Sequence, residues 1–465
     1  MSENKETKKM KESLFYTPKH ISKRVSAEEI QAADGFCEKY KGFLDKAKTE
    51  REAVKEIIAE AVKNGFSQYE KGGKYAPGDK IYVNNRGKAA MLAVIGKKGV
   101  SEGAKITASH IDSPRVDLKQ NPLYEDSELA LFKTHYYGGI KKYQWTAIPL
   151  ALHGVFVKTD GSVVNIKLGE NENEPKFAIT DLLPHLGAEQ GKRPLASGIK
   201  GEELNILIGS RPFDNSDEGD NIKLNILKIL NEKYGVTESD FLSAELELVP
   251  AHKASDIGFD KSMIAAYGHD DRVCAYTSLM AVLDAGTPDK TLIAVFADKE
   301  EVGSDGNTGL NSDFMKNFIW DLAKAEGLDG YEALSRSECL SADVNAAFDP
   351  TFPDVLEKKN ASFLNKGIVV TKYTGARGKA DTSDASAEYT GKIRALLEKN
   401  NIVWQTGELG KVDEGGGGTV AKYVANLDVD VIDVGVPVLS MHSPYEIVSK
   451  LDVYMAYKAF LAFNG

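Results

Sequence analysis

Apolar residues recur at helical spacing through residues 26–63. Ile30, Phe36, Tyr40 and Phe43 make one stripe, and Ser26-Ala27-Glu28-Glu29 ahead of it has the form of a capping box. Val54, Ile57, Ile58 and Ala61 make a second. It starts at Thr49-Glu50-Arg51-Glu52 and stops at Asn64-Gly65, where a left-handed cap ends a helix. Residues 1 to about 25 read as a polar arm and an entry segment carrying Phe15, Tyr16 and Ile21. Residues 80–83 and 89–95 then predict two strands joined by a turn at 84–87, and 106–109 a short strand ending at His110.

From 116 to 252 helical periodicity thins out. Residues 146–157 and 162–168 are strand-like, hinged at Asp160-Gly161, and polar loops at 169–176 and 214–220 interrupt the pattern. Alternation of helices and strands returns from 253. Helices are predicted at 272–285, 313–325, 386–400, 419–425 and 444–463. Strands are predicted at 292–297, 339–344, 402–405 and 429–434. The expected architecture is an α/β domain formed by 1–115 and 253–465, with a β-rich domain, 116–252, inserted into it. A single domain would require long structureless loops, which are uncommon.

The chain has 465 residues, enough for more than one core, with 42% hydrophobic and 27% charged residues. Its net charge of −11 disfavours nucleic acid and anionic membranes as partners. No apolar run is long enough to span a membrane, and the charged N-terminal stretch lacks the apolar core of a secretory signal. Three separated cysteines, Cys37, Cys274 and Cys339, exclude a cysteine zinc knuckle and suit a reducing compartment, so a cytoplasmic location is expected.

The candidate chemistry lies where strands end. The apolar run Leu292–Ala297 leads into Asp298-Lys299-Glu300-Glu301. Strand side chains alternate faces, so one of the two glutamates points inward unless the chain bends there. His110 follows another strand, with Asp112 two residues on as a partner for its second nitrogen. Asp270 and Asp271 precede a helix; acids there also suit the helix dipole. Asp343 and His442 follow two further apolar stretches. Singly, each has an ordinary reading as a turn or surface residue. Together they match two zinc sites sharing one carboxylate, His/Asp/Asp and Asp/Glu/His, with Glu300 left free as a base. Asp270 is preferred to Asp271 as the shared group. The run Gly415–Gly418 lacks the Gly-Lys-Ser/Thr of a phosphate loop and reads instead as backbone open to close substrate approach.

The ordered set SHIDSP (109–114), HDDR (269–272), DKEEVGS (298–304), SAD (341–343) and MHSPYE (441–446) resembles the aspartyl aminopeptidase and vacuolar aminopeptidase I family of metallopeptidases. The likeness runs from about residue 15 to the end. It implies a mixed-sheet α/β/α, zinc-exopeptidase-like catalytic domain, with the insert serving dimerisation and dimers assembling into a dodecamer. It implies His110, Asp270, Glu301, Asp343 and His442 as ligands of two Zn2+, for which Co2+ or Mn2+ could substitute, with Asp270 bridging and Glu300 as general base. Asp112 belongs to the catalytic set as the residue beside His110. His185 sits where the family has a histidine that reaches the neighbouring subunit's site, which implies a role in substrate binding or transition-state stabilisation in trans. A lysine contacting an acidic substrate side chain is expected near 370–387; Lys372 and Lys379 are both candidates, and Lys372 is taken. Asp271 departs from the family's usual neutral or amide residue at its position, which leaves the choice between 270 and 271 open; Lys299 stands where the family's form has Asn, a change of little consequence. The preferred N-terminal residue, acidic or neutral, is also open.

The expected reaction is removal of the N-terminal residue from short peptides. An amidohydrolase or carboxypeptidase acting on N-acyl amino acids could use the same metals. A non-catalytic assembly protein would have lost one of the five ligands, and all are present.

Overall fold

The computed structural model describes residues 5–216 and 219–465; residues 1–4 of the expected arm and 217–218 of the 214–220 loop lie outside the described residues. A nine-stranded mixed sheet organises the α/β part. Its order is Ser67–Gln68, Lys80–Asn85, Ala89–Val94, Thr291–Ala297, Ala104–His110, Glu338–Ser341, Asp430–Gly435, Ile368–Thr371, Trp404–Thr406. The four central strands, from Thr291–Ala297 to Asp430–Gly435, are parallel. Their register sets Ala297 beside His110 and Ser341 beside Ala108. Their carboxyl ends therefore open on one edge, where such sheets place ligands.

The central strands are buried on both faces, which explains their near-continuous apolar character. Leu292, Ala294 and Phe296 face a layer containing helices Ala27–Lys46, Glu50–Lys63, His269–Leu283 and Lys450–Asn464. Ile293, Val295 and Ala297 face the opposite layer, with helix Phe314–Ala325. The two N-terminal helices begin at the expected caps: Ser26 accepts from the Glu29 amide and Thr49 from the Glu52 amide. Gly65 takes a φ of +85° at the expected stop.

Residues 115–250 build a second, seven-stranded sheet with its own core, in the order Val163–Leu168, Leu150–Val157, Ala244–Pro250, Arg115–Asp126, Leu129–Tyr137, Ile206–Gly209, Ala178–Ile179. Buried charges join this sheet to the α/β part. Glu50, fully buried, lies 3.1 Å from Lys88 and 3.3 Å from Arg115. Lys48 pairs with Glu170 at 2.8 Å, and His153 sits 3.1 Å from Glu52.

Four expectations need correction. The arm is partly helical: Lys5–Leu14 forms a helix with no buried residue, as strong helix formers such as Lys, Glu, Met and Leu favour. The β-rich insert also contains a helix, Asn221–Tyr234, whose outer Leu224 and Ile229 blur its apolar stripe. Strand structure within 146–157 starts only at Leu150, because 142–145 forms a 3-10 turn that buries Trp145. The closing helix starts at Lys450 rather than 444: Glu446–Ser449 is a strand of a small sheet with Ser255–Ile257 and Met263–Ala266.

Candidate active site

At the carboxyl edge of the central strands a cavity of about 480 Å³ is lined by Asp270, Glu300, Glu301, Asp343 and His442, with Gly139, Asn345, Thr374, Asp381, Gly416–Gly418, Thr419, Lys422 and Tyr423 among its walls. The acidic groups arrive on separate elements, except Glu300 and Glu301, which share one turn. His110 ends its strand, with Nε2 3.1 Å from Asp270 Oδ1 and 3.8 Å from Asp343 Oδ1. On the other side of Asp270, Oδ2 is 3.1 Å from His442 Nε2, which is 3.4 Å from Glu301. One carboxylate thus stands between two imidazoles. Asp271 turns away from them: its Oδ2 accepts from the His110 backbone amide at 3.3 Å. Of the neighbouring aspartates, Asp270 alone faces both rings.

Both imidazoles are oriented by main-chain carbonyls. His110 Nδ1 donates to the Asp112 carbonyl at 3.1 Å, and His442 Nδ1 to that of Gly139 at 3.0 Å. In each ring Nε2 is left free to face the carboxylates, as a metal ligand requires. His269, the first residue of HDDR, takes no part in this set. Burial pushes its pKa down to about 3, and it is held between the Tyr40 hydroxyl and the Ile264 carbonyl.

The chain does bend after Ala297. Lys299 adopts φ +71° and starts a 3-10 turn, Glu300–Val302, which brings both glutamates to the cavity instead of one. The turn is held by Asp112, whose carboxylate accepts from the Glu300 amide at 3.2 Å and the Glu301 amide at 3.1 Å. The Tyr137 hydroxyl donates to the same group at 2.7 Å. Glu446 accepts from the Asp270 amide at 3.0 Å and the His442 amide at 2.6 Å. Tyr137, Gly139 and Glu446 are absent from the sequence-derived set. Glu446 lies inside the MHSPYE stretch and could have been singled out there; nothing local marks the other two.

The electrostatics are those of a cation site. Burial raises the carboxyls of Glu301 and Asp343 well above their ordinary range, and pushes Glu300 to about 7 and Glu446 to about 8. Burial also works against a charged His442, but Asp270 and Glu301 outweigh it and lift the ring to about 10. Glu301 Oε1 and Asp271 Oδ1 are buried without a hydrogen-bond partner. So many buried carboxylates are costly unless positive charge joins them. Among the described residues, the groups able to hold a metal are His110/Asp270/Asp343, His110/Glu300/Glu301 and Asp270/Glu301/His442. Imidazole with carboxylate is a zinc-type donor set, so the residues fit that ion.

The other expected substrate residues lie elsewhere. Lys372 and Lys379 both pair with Asp384, and neither lines the cavity. Lys422 lines it instead, 3.1 Å from Asp381. His185 is exposed in a 3-10 turn, Pro184–Leu186, of the second sheet's loops, and is not part of this chain's own cavity.

The α/β/α fold thus gathers, at its strand ends, His and carboxylate side chains able to hold a metal. The family described as Aminopeptidase I zinc metalloprotease (M18) matches residues 43–464. A probable M18 family aminopeptidase 1 of Clostridium acetobutylicum is 50% identical over 98% of this chain and 99% of that one. The crystal structure of the M18 aminopeptidase from Thermotoga maritima superposes with a TM-score of 0.92 at 44% identity, over 97% of this chain and 99% of that one. Aminopeptidase I from Clostridium acetobutylicum gives 0.91 at 46%, over 97% and 100%. The S. cerevisiae mApe1 dodecamer shares the fold at 20% identity and a TM-score of 0.75, over 93% and 97%. The chain belongs to the M18 family of zinc aminopeptidases, and it is a hydrolase. Among the described residues no helix is long and apolar enough to cross a membrane.

Proposed function

We propose that the chain removes the N-terminal residue, acidic or neutral, from short peptides at a centre of two zinc ions held by His110, Asp270, Glu301, Asp343 and His442. The observation that carries this reading is Asp270, with one oxygen 3.1 Å from each of two imidazoles. Zinc, when bound, supplies Lewis acidity to the scissile carbonyl and acidifies water. Glu300 is the acid left over from the ligand set; it takes a proton from the attacking water and returns it to the leaving amine. Asp270 and the neighbouring carboxylates favour a positively charged peptide N-terminus, which selects exo over endo cleavage. Asp112 holds the turn that carries Glu300. The oxygen-rich donors would also accept cobalt or manganese.

The insert, 116–252, serves as the dimerisation domain in this reading, and copies assemble toward a dodecamer such as that of the S. cerevisiae mApe1 protein. Leu182, Leu183 and Leu186, exposed beside His185, support burial of that turn against another copy. There His185 would contact substrate in a neighbouring cavity. A cytoplasmic location fits the three buried free cysteines.

Metal analysis combined with a panel of aminoacyl reporters and an amine-blocked peptide tests the reading. Zinc at two per chain, turnover of free-amine substrates and rejection of the blocked one are expected. Preferential cleavage of N-acyl amino acids would instead identify an amidohydrolase.

A further inference from the structure

Two contacts to the centre come from the end of one strand of the second sheet. Leu129–Tyr137 pairs with Arg115–Asp126, and Tyr137 lies opposite Arg115. The Arg115 guanidinium sits over the Tyr137 ring at 4.0 Å and is itself held by Asp117 at 2.8 Å. This fixes the ring, and the hydroxyl reaches Asp112 Oδ2 at 2.7 Å. Two residues on, the Gly139 carbonyl accepts from His442 Nδ1. Between them Gly138 packs so closely that a Cβ there would lie 3.3 Å from the Glu301 Cβ. Thus one strand end touches the groups that orient Glu300, Glu301 and His442.

We propose that Tyr137 is a positioning residue for the metal centre, acting through Asp112, so that the pairing register of the inserted sheet helps set zinc affinity. The proposal rests on the two-zinc reading above. Asp112 is fully buried, and its carboxylate is shared among the Tyr137 hydroxyl, the Glu300 and Glu301 amides and the nearby His110 ring. Without the hydroxyl, the carboxylate is free to rotate toward its remaining donors, and the turn bearing both glutamates shifts with it. A register slip of one residue would send Tyr137 to the opposite face of its sheet and remove the contact. Outer groups of this kind alter metal affinity by about 10- to 100-fold.

The test uses the full-length protein and Tyr137→Phe, which keeps the ring over Arg115 and removes only the hydroxyl. Zinc affinity is measured by chelator competition, alongside the melting temperature of the metal-free form. The expected result is zinc binding about 10- to 100-fold weaker with little change in the metal-free melting temperature. In an Asp112→Ala background the same change should cost nothing further, since the hydroxyl's acceptor is already gone. Unchanged zinc affinity, or losses that multiply in the double variant, would overturn the proposal. If Tyr137→Phe fails to fold, amide exchange on the unmodified protein decides: linkage requires zinc to slow exchange around residues 137–139, and no change there refutes the coupling. Zinc stoichiometry of the unmodified protein is scored separately. Uptake below two per chain counts against the two-zinc reading, whereas full uptake with unaltered affinity in Tyr137→Phe counts against this one.

Discussion

Asp112 and Glu300 are 188 positions apart in sequence, yet the Glu300 amide donates to the Asp112 carboxylate at 3.2 Å. The contact is to the backbone, so it holds the position of Glu300 without engaging its side-chain oxygens. Those oxygens remain available to the cavity, and Oε2 lies 3.9 Å from His110 Nε2.

Glu300→Gln is therefore a clean test of the general-base role proposed for Glu300. The turn, the Asp112 contact and the ligand set are all retained. Metal content should stay at the unmodified level while kcat falls by about 10²- to 10⁴-fold. Near-normal turnover in a protein with full metal would remove Glu300 from the role.

A histidine acting in trans predicts complementation. His185→Ala and Glu300→Gln should each be weakly active when assembled alone. Dissociated, mixed and reassembled, they should regain part of the lost activity, because some cavities then receive an intact Glu300 and an intact His185 from different chains. Recovery is read with an aminoacyl reporter. Activity that never exceeds the average of the two variants would place His185 outside the neighbouring cavity.

The joint between the two sheets should respond to acid. Burial opposes ionisation of Glu52, but the His153 ring and the Lys167 ammonium outweigh it and hold the carboxyl at about 2. The folded value lies below the ordinary 4.5. Its contribution is therefore fully present above about pH 4.5 and is lost as pH falls through 2, because the unfolded chain then binds the proton more readily. Glu52→Gln should lower stability at neutral pH by at most about 3 kcal/mol and flatten its decline between about pH 4.5 and 2. Denaturant unfolding at several pH values would show this; an unchanged pH slope would contradict it.

Much of the site was legible because its residues stand at the punctuation of local patterns. His110, Glu300, Glu301, Asp343 and His442 each follow an apolar run or turn, and parallel strands buried on both faces advertise themselves as such runs. Which lysine lines the cavity was not legible. Lys372 and Lys422 are both surface residues near loops, and only the path of the chain decides that Lys422 reaches the cavity wall while Lys372 pairs with Asp384.

The sequence by itself determined the α/β alternation, the β-rich stretch within it, the helix caps at Ser26 and Thr49, and the set of acids and histidines available to a metal. Those features depend on spacing and on chemistry within a few residues. Only the tertiary structure decided that Asp270 rather than Asp271 faces both imidazoles, that Lys299 turns both glutamates inward, and that Tyr137 and Gly139 reach the centre from a different sheet. Each of these is a direction in space, set by strand register and backbone bends between segments far apart in the chain, and no local pattern records it.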